Sequence, residues 1–291
     1  MAQRHHLRLE PNAFYAAKGL YTHARSVLWR VRSGGKADAS GVRILAYHRI
    51  SPDRDELAVT PQSFREHMEY LSALGYRVVG ATEAAAALTS PDAGRTIGLT
   101  FDDGYQDVVE NALPTLVELG MRATVFLPTG AIDRTHRFTW YERQPPLLEW
   151  STITELDRGP ALEFGAHTIG HTNLLALDDD DAAREIGGSK QALEDHLGHP
   201  VTAFCYPSGL FGERELRLVR TSGFQLAVGA EPGANGPDAE RLALRRIGIG
   251  PRDRLLDFRA KVGGGHDSAP PLRSTYRAVR FGMPRSASSR S

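Results

Sequence analysis

Between residue 42 and about residue 250 the chain alternates short apolar runs with stretches of helical spacing, and this alternation constrains the fold most. Val42–Tyr47, Thr96–Phe101, Ala123–Leu127, Leu162–Ala166, Val201–Tyr206, Gln225–Gly229 and Leu242–Ile249 read as strands. Thr60-Pro61 opens a helix that ends near Gly75, because threonine caps and proline fits the first helical position. A second helix runs to Leu119 and stops at Gly120, with Pro114 predicting a kink or break within it. Asp178–Leu197 is a third helix, whose leading aspartates favour its dipole. Strands alternating with helices predict a parallel α/β fold, either a barrel or a doubly wound sheet.

The ends differ from this middle. Residues 1–40 are predicted to be an amphipathic helix and linker, 41–262 the α/β unit, and 263–291 a flexible tail rich in Gly, Pro, Ser and Arg. Phe14, Ala17, Tyr21, Ala24, Leu28 and Val31 share one helical face, with Lys18, Arg25, Arg30 and Arg32 off it. Two readings stand: the stripe packs on the outside of the barrel, or it is a peripheral membrane contact through residues 11–32.

Composition removes several classes. Lys+Arg and Asp+Glu are both 35, so no global basic field points to nucleic acid. One cysteine, Cys205, excludes an internal disulfide and a cysteine-rich zinc site, so a metal would need His and Asp ligands. No apolar run is long enough to span a membrane, and the N-terminus lacks the apolar core of a signal peptide. The expected setting is therefore the cytoplasm, at the inner face of the membrane if the basic helix binds there, with export left open.

The unusual polar residues fall at strand C-terminal ends. His48 follows the first strand, Asp102-Asp103 the second, His167 the fourth and Tyr206-Pro207-Ser208-Gly209 the fifth of those just named. In a parallel barrel these ends form one rim, where active sites are built. His167 and His171, four apart, could supply two imidazoles to a divalent ion, although such pairs also arise by chance. Asp102-Asp103-Gly104 could be only a turn and helix cap. Beyond a buried strand, adjacent carboxylates can instead divide labour between metal and base, and their mutual repulsion itself calls for a cation.

Thr100-Phe101-Asp102-Asp103-Gly104 and His167-Thr168-Ile169-Gly170-His171 resemble the first two motifs of the polysaccharide deacetylase family, the NodB-homology domain of carbohydrate esterase family 4. Phe204-Cys205-Tyr206-Pro207-Ser208-Gly209 resembles the third, and Leu148-Glu149-Trp150 is also similar. The resemblance spans roughly residues 42–250 and rests on the order and spacing of several motifs. It implies a distorted (β/α) barrel of seven or eight strands, TIM-like, that hydrolyses acetyl groups of N-acetylated sugars with zinc or a related divalent ion such as cobalt or nickel. It implies Asp103, His167 and His171 as metal ligands and Asp102 as base. The metal and the Ser208 N–H would stabilise the oxyanion, with Tyr206, Pro207 and Tyr105 lining the substrate side.

Two positions depart from the family. Cys205 stands where the third motif often carries an arginine that steadies the base, and Arg245 or Arg246 could replace it. Leu244-Arg245-Arg246-Ile247 lacks the histidine that usually acts as acid. Leu45-Ala46-Tyr47-His48-Arg49-Ile50 resembles the N-terminal segment of the poly-N-acetylglucosamine deacetylases, which implies His48 as the acid. Trp140, Tyr141 and Trp150 are further candidates for stacking on sugar rings, against core packing. The expected partner is an N-acetylated carbohydrate: a polymer, a lipid-linked glycan or a nucleotide sugar. The competing readings are a glycoside hydrolase, which adjacent carboxylates suit poorly, and a non-catalytic carbohydrate-binding relative.

Overall fold

The structure is a computed structural model. It describes residues 11–267 except Ala39 and Arg54, with side chains from Ala16 onward. Among the described residues ten strands occur in chain order: β1 (Arg43–Tyr47), β2 (Arg49–Ile50), β3 (Ala58–Val59), β4 (Arg77–Val79), β5 (Thr96–Phe101), β6 (Ala123–Leu127), β7 (Leu162–Ala166), β8 (Ala203–Cys205), β9 (Leu226–Val228) and β10 (Ile247–Gly248). Eight form one parallel sheet in the order β10-β1-β5-β6-β7-β8-β9, with β4 paired to β5. The sheet curls until its edges meet. Leu244 bridges Val228 of β9, while Ile247, three residues on, pairs with Leu45 of β1. A single bridge at this seam, instead of a full ladder, is one distortion of the barrel. The other is β4, which takes Thr96–Gly98 at the lower half of β5 while β6 takes Thr100–Phe101 above.

The period of two along each strand divides the core. Val42, Ile44, Phe126, Ala203, Cys205, Leu226, Val228 and Leu244 form one buried cluster inside the barrel. The Ala81–Ala86 helix contributes Ala81, Ala84 and Ala85 to that cluster and plugs its base. Leu45, Tyr47, Leu99, Phe101, Val125, Leu127, Phe204 and Ala227 face the other way, into the layer between sheet and helices. Those helices form as their caps require. The Thr60 hydroxyl accepts from the Ser63 N–H ahead of the Pro61–Ala73 helix. Asp178 caps Asp179–Leu197, and Gly198 ends it in the left-handed conformation. Pro114 does break its helix: a π-helical turn over Val108–Ala112 precedes the α-helix Leu113–Glu118.

At the two ends the sequence expectations need correction. The Pro11–Ser33 helix does lie on the outside of the barrel, but with the opposite face inward. Thr22 and Ser26 are buried, Ser26 Oγ sits 3.1 Å from His266 Nε2, and His23 Nδ1 sits 3.2 Å from Asp257. The expected stripe is exposed at Ala17, Ala24, Leu28 and Val31; the Phe14 side chain lies outside the described residues. Residues 263–267, assigned to a flexible tail, are packed. Gly263 and Gly265 lie under Trp29, and Asp267 accepts from the buried Arg43 Nη2 at 2.5 Å. The rest of that tail, 268–291, lies outside the described residues.

Candidate active site

Each strand places its motif at the rim by extending the backbone ladder one step past its end. The Asp102 N–H donates to Tyr47 O, His167 N–H to Leu127 O and Tyr206 N–H to Val228 O, at 3.0, 3.0 and 3.2 Å. The chain then turns sharply. Asp103, Thr168, His171 and Ser208 all have positive φ, and among the described non-glycine residues only Arg134 shares that feature. Left-handed backbone in ordinary residues costs energy and clusters where function requires it.

Asp103, His167 and His171 converge. Asp103 Oδ1 lies 3.7 Å from His167 Nε2 and 3.4 Å from His171 Nε2. That oxygen is fully buried and has no hydrogen-bond partner. His167 Nδ1 donates to Cys205 O at 2.7 Å, which fixes the tautomer that leaves an Nε2 lone pair facing Asp103. Burial depresses both imidazoles, His167 to about 3 and His171 to about 4, so both are neutral at pH 7. Burial pushes Asp103 up to about 7, and the charge of Asp102 adds to the rise. An orphaned carboxylate oxygen facing two neutral imidazole nitrogens fits a divalent cation, and these ligand atoms lie within 4.8 Å of one another. A second cluster, Asp102, His167 and Cys205, is equally compact. Its Asp102 oxygens and Cys205 sulfur are already engaged by Arg246, and burial raises the thiol pKa, so it fits a metal poorly.

Of the two candidate arginines, Arg246 is the one that holds Asp102. Its Nη1 and Nη2 donate to Asp102 Oδ1 and Oδ2 at 2.6 and 2.8 Å, a bidentate clamp. The remaining donors reach Gly229 O, Thr100 Oγ1 and Cys205 Sγ. Burial alone would raise the Asp102 pKa; the guanidinium overrides it and holds the carboxyl well below the usual carboxylate range. Arg245, its neighbour, is exposed and reaches Pro232 O instead. His48 is half-buried at the end of β1, near enough to both carboxylates that a positive charge on its ring would lower the pKa of each. Behind it Arg49 gathers Asp53, Asp55 and Asp107 and pins the following loop.

The aromatic and third-motif candidates separate. Tyr105 and Tyr206 are fully buried, which removes them from direct substrate contact. Tyr206 donates to Leu242 O and stacks on Phe211 at 4.2 Å, because strand alternation turns it into the outer layer with Phe204. Pro207 is buried, while Ser208 is exposed on the turn Pro207–Gly209. Trp150 stacks on His196 and donates to Asp133, away from the ligand cluster. Trp140 is the aromatic at the site: 39 % exposed, it stands edge-on to His171 at 4.8 Å and stacks on Phe138 at 4.6 Å. Tyr141 ties the same loop to Asp55.

Sequence reading missed Glu185. Its carboxylate accepts from the Ile169 and Gly170 N–H groups, both at 2.9 Å, and so braces the loop between the two histidines. Its spacing from the motif carries no local signal. Glu185→Ala is expected to weaken metal retention roughly 10–100-fold while leaving the melting temperature within a few degrees. Competition with a chromophoric chelator measures this, and unchanged affinity would reduce Glu185 to a loop contact.

A parallel barrel with a two-histidine, one-carboxylate cluster beside an arginine-clamped aspartate is the frame of a hydrolase. The polysaccharide deacetylase family profile matches residues 89–227. A candidate polysaccharide deacetylase, YxkH of Bacillus subtilis (strain 168), is 31% identical over 210 residues, covering 72% of this chain and 71% of that protein. The poly-beta-1,6-N-acetyl-D-glucosamine N-deacetylase of Staphylococcus epidermidis is 23% identical over 73% of this chain and 80% of its own length. Among solved structures, the Streptococcus pyogenes deacetylase PplD in complex with acetate superposes with a TM-score of 0.67 at 25% identity, over 76% of this chain and 98% of that one. IcaB from Ammonifex degensii gives 0.68 at 25% identity, over 77% and 98%. The chain belongs to the polysaccharide deacetylase family and is an amide C–N hydrolase of that type.

Proposed function

We propose that the chain removes acetyl groups from N-acetylated amino sugars in an oligomer or polymer, by hydrolysis that depends on a divalent metal. The observation that carries this reading is the division of labour between adjacent carboxylates. Asp103 offers a buried, unpartnered oxygen to His167 and His171, while Arg246 keeps Asp102 ionised beside it. A zinc ion held by Asp103, His167 and His171 would lower the pKa of its water and polarise the acetyl carbonyl; cobalt or nickel would suit the same ligands. Asp102 accepts the proton of the attacking water. The exposed Ser208 turn offers its N–H to the developing oxyanion. His48 donates a proton to the departing sugar nitrogen, which would otherwise leave as a poor amine anion. Trp140 walls the site on the His171 side and offers a face to a sugar ring. The S. epidermidis relative's name supports a β-1,6-linked N-acetylglucosamine oligomer as the first substrate to try.

The test is acetate release from such oligomers, with chitooligosaccharides and nucleotide and lipid-linked N-acetylhexosamines beside them. Chelation should abolish release and zinc should restore it. His48→Ala should lower turnover roughly 10²–10⁴-fold with metal content unchanged. No acetate from any substrate with zinc present would refute the reading, and a His48→Ala enzyme of native turnover would move the acid role elsewhere.

A further inference from the structure

Four of the seven large hydrophobic side chains exposed among the described residues lie on the Pro11–Ser33 helix: Leu20, Val27, Leu28 and Val31, with Leu20 75 % and Val31 77 % exposed. At 100° per residue they form one stripe together with Ala24. The helix is divided into sectors. Thr22, Ser26 and Trp29 turn to the barrel, the stripe turns away from it, and Lys18, Arg25 and Arg32 lie along one flank with Arg30 on the other. The helix contains no Asp or Glu. An open groove of about 390 Å³ borders the stripe, lined by Arg25, Leu28, Trp29, Arg32, Ser33 and Gly265. No helix among the described residues is long and apolar enough to cross a membrane.

We propose that this helix docks the enzyme flat on an anionic lipid bilayer, the stripe entering the acyl boundary and the basic flanks meeting lipid phosphates. The barrel-facing side takes Trp29 with small and polar residues and leaves the aliphatic stripe for another phase, and a basic row on one edge of that stripe with Arg30 on the other is complementary to a negatively charged surface. Arg25 Nη2 is held by Gly265 O at 2.9 Å, and the long stems of the exposed Arg30 and Arg32 let their charges reach the headgroups while the stripe is immersed. A second copy of the chain would bring the same basic rows together across the interface, which disfavours self-association through this face. The orientation has a consequence for the rim. Gly19 packs on Arg252, which pairs with Glu56 in the loop after His48, whereas Trp29 packs on Gly263 and Gly265 near the base of β1. The helix thus runs from rim to base, and docking lays the mouth of the site beside the lipid surface. This inference is independent of the reaction proposed above.

Co-sedimentation of the full chain with phosphatidylcholine vesicles, with and without about 30 mol % phosphatidylglycerol, tests it. The wild type should pellet with the anionic vesicles, less as salt rises, and weakly with neutral ones. Leu20→Ser combined with Val31→Ser should cut partitioning roughly tenfold or more. Arg30→Glu combined with Arg32→Glu should remove the preference for phosphatidylglycerol. Both variants alter exposed positions, so their circular dichroism and melting temperature should match the wild type. A wild type that stays in the supernatant overturns the proposal, as does pelleting that neither variant changes. A concentration-dependent dimer that Leu20→Ser with Val31→Ser dissolves, without vesicle binding, would assign the stripe to a second copy instead.

Discussion

Asp102→Asn is expected to retain metal and lose about 10³-fold in turnover. The substitution keeps the volume of the side chain and one acceptor for Arg246, but removes the carboxylate that takes a proton from the attacking water. The proposed ligands Asp103, His167 and His171 are untouched, so metal content by elemental analysis should remain that of the wild type. Some stability goes as well. Arg246 is buried and loses the anionic half of its clamp, for a cost of about 1–3 kcal/mol. Turnover must therefore be compared well below the melting temperature of the variant. Near-native acetate release would remove Asp102 from the role of base. Loss of metal together with turnover would place Asp102 among the ligands.

How much of this site could be read beforehand depended on distance along the chain. The rim residues were legible because each lies within a few positions of a strand end, and strand ends show in local patterning. The resemblance at Asp102-Asp103 and at His167 and His171 then assigned roles that geometry now brings together. Arg246 was only half legible. Its partner lies 144 residues away, and nothing local separates it from Arg245. Strand alternation separates them: Leu244 and Arg246 turn toward the barrel interior, where Phe126 and Cys205 also lie, while Arg245 turns out. The same alternation sent Tyr206 outward and removed it from the site. Trp140 owes its position to a loop without periodicity, and Glu185 to a helix from which its carboxylate reaches the Ile169–Gly170 loop. The N-terminal helix misled for a different reason. The inference from an apolar stripe assumes that protein covers it. Here the surface available was a glycine turn at 263–265, which accepts Trp29 and small polar side chains closely and left the stripe outside.

Arg246→Met should be the most destabilising single change at the rim, by about 3–5 kcal/mol near pH 7. Methionine fills part of the same volume among Phe126, Thr100 and Cys205, so the loss is mainly electrostatic. Asp102 would remain as a buried carboxylate with no cation against it. The pH dependence identifies the cause. In the wild type the Asp102 pKa is held below that of the unfolded chain, about 3.9. Its contribution is therefore fully present above about pH 4 and is lost as acid approaches the folded-state value. In the variant burial is opposed only by the smaller influences of His167 and His48, and it raises the folded-state pKa above 3.9. The sign reverses: the ionised group opposes folding at neutral pH, and protonation between that raised pKa and about 4 relieves it. The difference in unfolding free energy between the two proteins should accordingly be largest near pH 7 and shrink toward pH 4. Urea unfolding of chelator-treated protein across this range measures it without a contribution from metal release. A gap that stays constant with pH would mean that Arg246 stabilises by packing and neutral hydrogen bonds. In that case the ionised state of Asp102 would have to be secured by the metal alone. Arg246→Lys separates the remaining possibility: it restores a cation but not the bidentate geometry, so it should recover more stability than turnover.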